Sequence, residues 1–140
     1  MFLLRPKNFD MQTRNAERWV EVSQIAAGLK AYVAAIGSLP PGIATKTQVI
    51  GKSDQSQTYD LCKILVPKYM KEVPYDPSFG LGFSSESGTG SGKACKNKGD
   101  KYATAYSITK YVDGSVVLAA PLAEEQEQIS IRLKFPTQTP

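Results

Sequence analysis

Residues Arg14–Ile43 read "RNAERWVEVSQIAAGLKAYVAAIGSLPPGI". Apolar side chains recur at Met11, Trp19, Val22, Ile25, Ala26, Leu29, Tyr32, Val33 and Ile36. Steps of three and four place them on one face of a helix. The spacing predicts a helix from about Asn8 or Asp10 to Ile36, about 40 Å long at roughly 1.5 Å per residue. Arg14, Glu17, Arg18, Glu21 and Lys30 fall mostly off the stripe. Gly37 suits a left-handed cap, and Pro40 and Pro41 forbid continuation. Strands of roughly 17–20 Å cover only about half of such a helix. The half from Val22 onward, with the denser stripe, is therefore expected to pack on a sheet. The N-terminal half then protrudes, or local loops cover it.

The last third supplies the sheet. "KYATAYSITKYVDGSVVLAA" reads as two strands around Asp113-Gly114, a dipeptide that favours a two-residue type I′ hairpin turn. Ile129, Ile131, Leu133 and Phe135 then alternate with Ser130, Arg132 and Lys134, the pattern of a half-buried strand. Between helix and sheet, residues Gly42–Ser56 read as a loop with a short strand at Thr47–Ile50. A second, short helix follows, capped by Ser56 or Thr58, with Leu61, Ile64 and Leu65 as its apolar face. Pro67 cuts it, Lys68–Glu72 is expected to add one turn, and Pro74, Asp76 and Pro77 make a rigid exit.

Residues Gly80–Asp100, "GLGFSSESGTGSGKACKNKGD", hold six glycines and four serines and read as a long loop. The expected class is α+β: one helix over residues 1–36 packed on an antiparallel sheet of three to four strands over 101–136, with the glycine-rich loop at 80–100. A chain of 140 residues fits a single domain over 1–140 and can bury a core.

Composition narrows the chemistry. Apolar content of 41% and charged content of 21% are those of an ordinary globular protein. The net charge of +4 is too modest to mark a nucleic-acid binder by itself. With no histidine, the commonest general base and most zinc sites are excluded. The sequence shows no nucleophile elbow, telling carboxylate pair or cofactor fingerprint, so an enzyme, a cofactor and a bound metal are not expected. Asp76, Asp100, Asp113, Glu124, Glu125 and Glu127 are candidates for calcium, but no EF-hand pattern orders them. Asp113 is accounted for by the turn, and Glu124–Glu127 by a solvated connection. "GTGSGKA" lacks the spacing and the hydroxyl residue of a phosphate loop.

Two cysteines remain. Cys62 and Cys95 are thiols in a reducing compartment and can pair in an oxidising one. Pairing is the favoured reading, since Cys95 lies in a polar loop with little core to receive it. The bond would close a loop of about 34 residues, worth roughly 3–4 kcal/mol in the chain-entropy model. Lys93, Lys96, Lys98 and Lys101 form a basic run in that loop. Their neighbours are Gly, Asn and Ala rather than aromatics, so a solvated loop is the plainer reading and DNA contact the sharper one.

No stretch reaches the roughly 18–20 apolar residues of a membrane span. The start, "MFLLRPKNFD", carries a short apolar stub followed by Arg5, Pro6 and Lys7. It reads either as a plain exposed terminus or as the last turn of a membrane helix with basic residues at the interface.

In order, these parts resemble type IV pilins and the pseudopilins of type II secretion systems. Three stretches carry the resemblance: "TRNAERWVEVSQIAAGLKAYVAAIGSLPPGI", "LCKILVPKYMKEVPYDP" and "YSITKYVDGSVVLAAPLAE". Together they cover about half of the chain. The resemblance implies a long helix whose C-terminal half packs on an antiparallel sheet. Its N-terminal half is a hydrophobic segment, held in the inner membrane before assembly and in the filament core afterwards. "FLL" would be the stump of that segment, and Met1 a start residue added to it. The implied function is a structural subunit of a type IV pilus or related filament on the cell surface. Its partners are other pilin subunits through the helix and the inner membrane through the hydrophobic segment. A secretion pseudopilin is the near alternative. A surface or DNA-uptake module using Lys93, Lys96, Lys98 and Lys101 is the alternative of another class. The family's processing site, its assembly glutamate and the calcium loop of major pseudopilins are not recognisable, so no residue takes those roles. A pilin disulfide usually lies nearer the C-terminus; Cys62–Cys95 resembles the pattern of some small pilin-like proteins.

Overall fold

The first helix, α1, spans Pro6–Ile36 in the computed structural model, which describes residues 6–53, 57–78, 93–95 and 101–135. Its 31 residues make it about 46 Å long. Gly37 closes it at φ +94°, with its N–H donating to the Val33 carbonyl at 2.8 Å.

The other elements follow as β1 (Gln48–Lys52), β2 (Thr58–Tyr59), α2 (Leu61–Leu65), β3 (Val73–Pro74), β4 (Lys93–Ala94), β5 (Tyr102–Lys110), β6 (Val116–Ala119) and β7 (Ser130–Leu133). The main sheet has five strands in the order β2-β1-β5-β6-β7, and β3 and β4 pair separately. The architecture is α+β, but the sheet is mixed rather than purely antiparallel. β2 runs parallel to β1, with Val49 opposite Thr58 and Ile50 opposite Tyr59. A two-residue strand is too short for alternation to show in the sequence. Tyr59 fixes it: the ring is buried and its hydroxyl donates to the Pro41 carbonyl at 2.7 Å.

Thr58 is thus a strand residue, and the cap of α2 is Asp60, whose carboxylate accepts from the Lys63 N–H at 3.2 Å. Beyond Leu65 the chain makes a turn through Val66–Tyr69, and the extra helical turn expected over Lys68–Glu72 does not form. The hairpin between β5 and β6 is also longer than expected. Tyr111 N–H donates to Ser115 carbonyl and Gly114 N–H to Tyr111 carbonyl, each at 2.8 Å, which encloses three residues instead of two. Only Gly114 is left-handed there, at φ +89°. That is a turn closed by a glycine bulge. Asp113 instead uses its carboxylate, accepting from the Ser115 N–H at 2.9 Å and the Ser115 hydroxyl at 2.6 Å.

β5 carries the feature that positions the interior polar groups. Opposite Val49 and Gly51 of β1 stand Ser107 and Ala103, so β5 holds extra residues in a bulge. Ala105 sits there at φ +65°. The Thr104 hydroxyl fills the gap in the ladder, donating to the Ile50 carbonyl at 2.6 Å and accepting from the Tyr106 N–H at 3.1 Å. The Thr104 carbonyl accepts from the Asp76 N–H at 2.8 Å. Gly51 permits this close approach: a Cβ there would stand 2.6 Å from the Tyr102 carbonyl oxygen.

The core joins Val22, Ile25, Ala26 and Leu29 of α1 to Ile50, Leu61, Leu65, Tyr106, Ile108, Val116, Leu118, Ile129 and Leu133. Ile131 and Phe135 pack at its margin. The half of α1 from Val22 onward supplies the apolar contact.

Candidate functional site

From Arg14 onward the first half of α1 does not stand free of the domain, whereas Asp10, Gln12 and Thr13 before it are exposed. Asn15 and Arg18 are buried, with Arg18 wholly inaccessible. The stripe runs Asn15, Arg18, Val22, Ile25, Leu29 in steps of three and four, so Arg18 lies on it and not off it. What covers this end is the connection between β6 and β7. Of the acidic run expected to be solvated, Glu125, Gln126 and Glu127 are exposed, while Glu124 is half-buried; Glu124 and Glu127 reach the helix.

That connection is shaped by a tight turn. Glu125 and Gln126 both adopt left-handed backbone, at φ +58° and +62°, and the Glu127 N–H donates to the Glu124 carbonyl at 3.1 Å. This is the φ pattern of a type I′ turn, built here without glycine. It presents Glu124 and Glu127 on the same side.

Asn15 reads the backbone of Glu124 from both sides. Its amide donates to the Glu124 carbonyl at 2.8 Å and its oxygen accepts from the Glu124 N–H at 3.0 Å. The same amide group reaches Glu127 Oε1 at 3.0 Å, and the Trp19 indole N–H reaches Glu127 Oε2 at 2.7 Å. Arg14 clasps the Glu124 carboxylate through Nε at 2.6 Å and Nη2 at 2.5 Å.

Arg18 is the centre of this polar latch. Nε and Nη2 grip Asp76 at 2.7 and 3.0 Å, Nη1 reaches Asn15 Oδ1 at 2.8 Å and Glu124 Oε2 at 2.7 Å, and Nη2 also reaches the Ser78 hydroxyl at 2.6 Å. These five bonds use all five N–H donors of a guanidinium. Asp76 is equally inaccessible, and it also accepts from the Ser78 N–H at 2.8 Å. The β5 bulge holds Asp76 in place through its backbone. One helix turn further on, Glu21 bonds the hydroxyl of Tyr106 on β5.

The hydrogen bonds from Arg14, and then those from Arg18, pull the Glu124 carboxyl down to about 2, against burial. A carboxyl depressed by folding stabilises the fold above its ordinary value and loses that contribution as pH falls toward the depressed one. The latch is therefore expected to weaken progressively from about pH 4.5 to about 2. Trp19 is the chain's single tryptophan and touches the latch through Glu127, so its fluorescence reports the opening. Glu124→Gln should flatten that acid dependence; an unchanged acid transition in the variant would remove Glu124 from the account.

On the opposite side of α1, Ala16, Val20, Ser23, Gln24, Ala27, Ala31, Ala34 and Ala35 are exposed. Trp19, Val20, Ser23, Gln24 and Ala27 line a shallow apolar groove there. α1 is thus fastened along one side and bare, small and mostly uncharged along the other. Among the described residues no helix is long and apolar enough to cross a membrane.

The glycine-rich segment meets the domain at β4. Lys93 and Ala94 pair with Pro74 and Val73, and the next residue, Cys95, is bonded to Cys62 of α2 with the Cα atoms 5.4 Å apart. Of the basic run, Lys93 lies in β4 and Lys101 is exposed just before β5. Lys96 and Lys98 lie outside the described residues, as does most of the stretch 80–100. Asp100 of the acidic set lies outside them too. Asp76, Glu124 and Glu127 are engaged by α1, and Asp113 by Ser115. Among the described residues no group of three or more carboxylate or cysteine side chains gathers where it could hold a metal ion.

Sequence reasoning missed Asn15, Arg18, Asp76 and Glu124 as one unit. The available signal was phase: Asn15 and Arg18 occupy stripe positions between Met11 and Val22. A comparison with protein-family models, with curated proteins and with solved structures finds no match to this chain.

Proposed function

We propose that this chain is the globular part of a filament subunit of the type IV pilin kind, with a structural rather than a catalytic role. The observation that carries the reading is the two-sided character of α1. One side is fastened to the sheet and to the β6–β7 connection, while the other offers an exposed row of mostly small, uncharged residues from Ala16 to Ala35. Small residues let helices approach closely, which suits packing between subunits. In this proposal a hydrophobic segment preceding α1 holds the subunit in the inner membrane until it joins the fibre. The segment 80–100, tethered at its end by Cys62–Cys95, would face outward.

The test uses the full encoded chain in its own host. The stretch encoded upstream of Phe2 should hold about 20 apolar residues, the length of a membrane helix. Val20→Arg and Ala27→Glu should abolish surface fibres seen by electron microscopy, while the isolated domain keeps its melting temperature. Normal fibres from both variants would sink the proposal. The same helix would serve in a secretion pseudopilus; loss of an exported folded protein with fibres untouched would point to that machine.

A further inference from the structure

We propose that the seam between α1 and the sheet at Glu21 and Tyr106 is proton-dependent: it is tightest with Glu21 as the neutral acid, and ionisation weakens it by placing a charge that burial and the neighbouring acids oppose. The geometry leads there from four sides. The Tyr106 ring is buried in the core, and its hydroxyl is the partner of the Glu21 carboxyl. Glu17, one turn back on α1, is acidic. So is Asp76, packed against the same region from the segment after β3. Arg18 is the near cation, but Asp76, Asn15, Glu124 and Ser78 already take all its donors. Arg14 and Glu124 satisfy each other one step further out.

Charge balance gives the same answer. Arg14 and Arg18 match Asp76 and Glu124 one to one. A charged Glu21 would add an uncompensated negative charge in a part-buried seam. The Tyr106 hydroxyl bond favours the ionised carboxyl, yet burial outweighs it, and Glu17 and Asp76 add to burial. Together they push Glu21 up to about 7. A carboxyl raised by folding gives its contribution in full below its ordinary value, 4.5, and loses it as pH rises through about 7. This is opposite in sign to Glu124. The inference is independent of the filament reading.

The decisive experiment is a carbon-13 NMR titration of the Glu side-chain carboxyls in the unmodified protein. Glu21 should titrate near neutrality. Between pH 5 and 8 the melting midpoint should fall by roughly 3–6 °C. Glu21→Gln should remove that fall. Tyr106→Phe, which takes away the bond to the ionised form, should move the Glu21 titration to still higher pH. A Glu21 carboxyl carbon that titrates in the ordinary carboxylate range overturns the proposal, even if neither variant folds. So does an unchanged pH slope in Glu21→Gln.

Discussion

Arg18→Ala is expected to remove about 3–5 kcal/mol of folding stability, the cost of leaving a buried charge without its partner. Both sides of the Arg18–Asp76 pair are inaccessible to solvent and are joined by two hydrogen bonds. Without the guanidinium, the Asp76 carboxylate keeps only the Ser78 N–H among its bonds from this cluster, and Glu124 loses one of its two arginines. Asp76→Ala should cost a similar amount, since it strands the guanidinium instead. For a domain whose whole stability is about 5–15 kcal/mol, either change comes close to unfolding it. Replacing both partners tests the physics further. Arg18→Met with Asp76→Leu should recover much of the loss, because an apolar pair has no desolvation to offset. Urea denaturation of the two single variants and the double variant measures this. Single variants that lose under about 1 kcal/mol would place the pair among exposed salt bridges, which carry little.

The second large effect belongs to the disulfide. Cys62 and Cys95 are 33 positions apart, and closing a loop of that length restricts the unfolded chain by roughly 3–4 kcal/mol. The bond also has a local role. β3 and β4 are two residues each, too short to stay paired by themselves. Cys95 follows β4 directly and anchors it to α2, whose Cys62 is buried in the core. Cys62→Ser with Cys95→Ser should therefore lower the denaturation midpoint and speed amide exchange at Lys93 and Ala94. The β5–β6 ladder should stay protected. A variant with the midpoint and β4 exchange of the parent protein would show that neither role is filled by this bond.

Much of the fold was legible because it rests on periodicity. The stripe from Val22 to Val33 found its sheet, and the alternation at Ile129–Phe135 marked the last strand. The illegible parts share a cause. β2 and β4 contain too few residues to show a period. The hairpin at Asp113-Gly114 was read by dipeptide preference alone, yet Asp113 satisfies its carboxylate locally and only the glycine turns left-handed. The left-handed pair occurs at Glu125-Gln126, where composition gives no hint and tertiary bonds to Asn15 hold the turn. The latch was missed for a deeper reason. Arg18 looks like a surface residue because charge favours water, and only three partners from distant segments reverse that preference. A lone sequence shows the phase of Arg18 but not the acids that meet it.

The latch also has a consequence for how the chain is made. Arg14 and Glu124 are 110 positions apart, whereas the backbone bonds within the helix that carries Arg14 span only four. During synthesis from the N-terminus, α1 exists long before the connection that covers it. Contacts of such long range slow folding, so the wait continues after the chain is complete. An apolar stripe along the whole of α1 would spend that interval open to any other hydrophobic surface. Asn15 and Arg18 keep the end that waits for Glu124 polar, so while uncovered it offers little for another hydrophobic surface to hold.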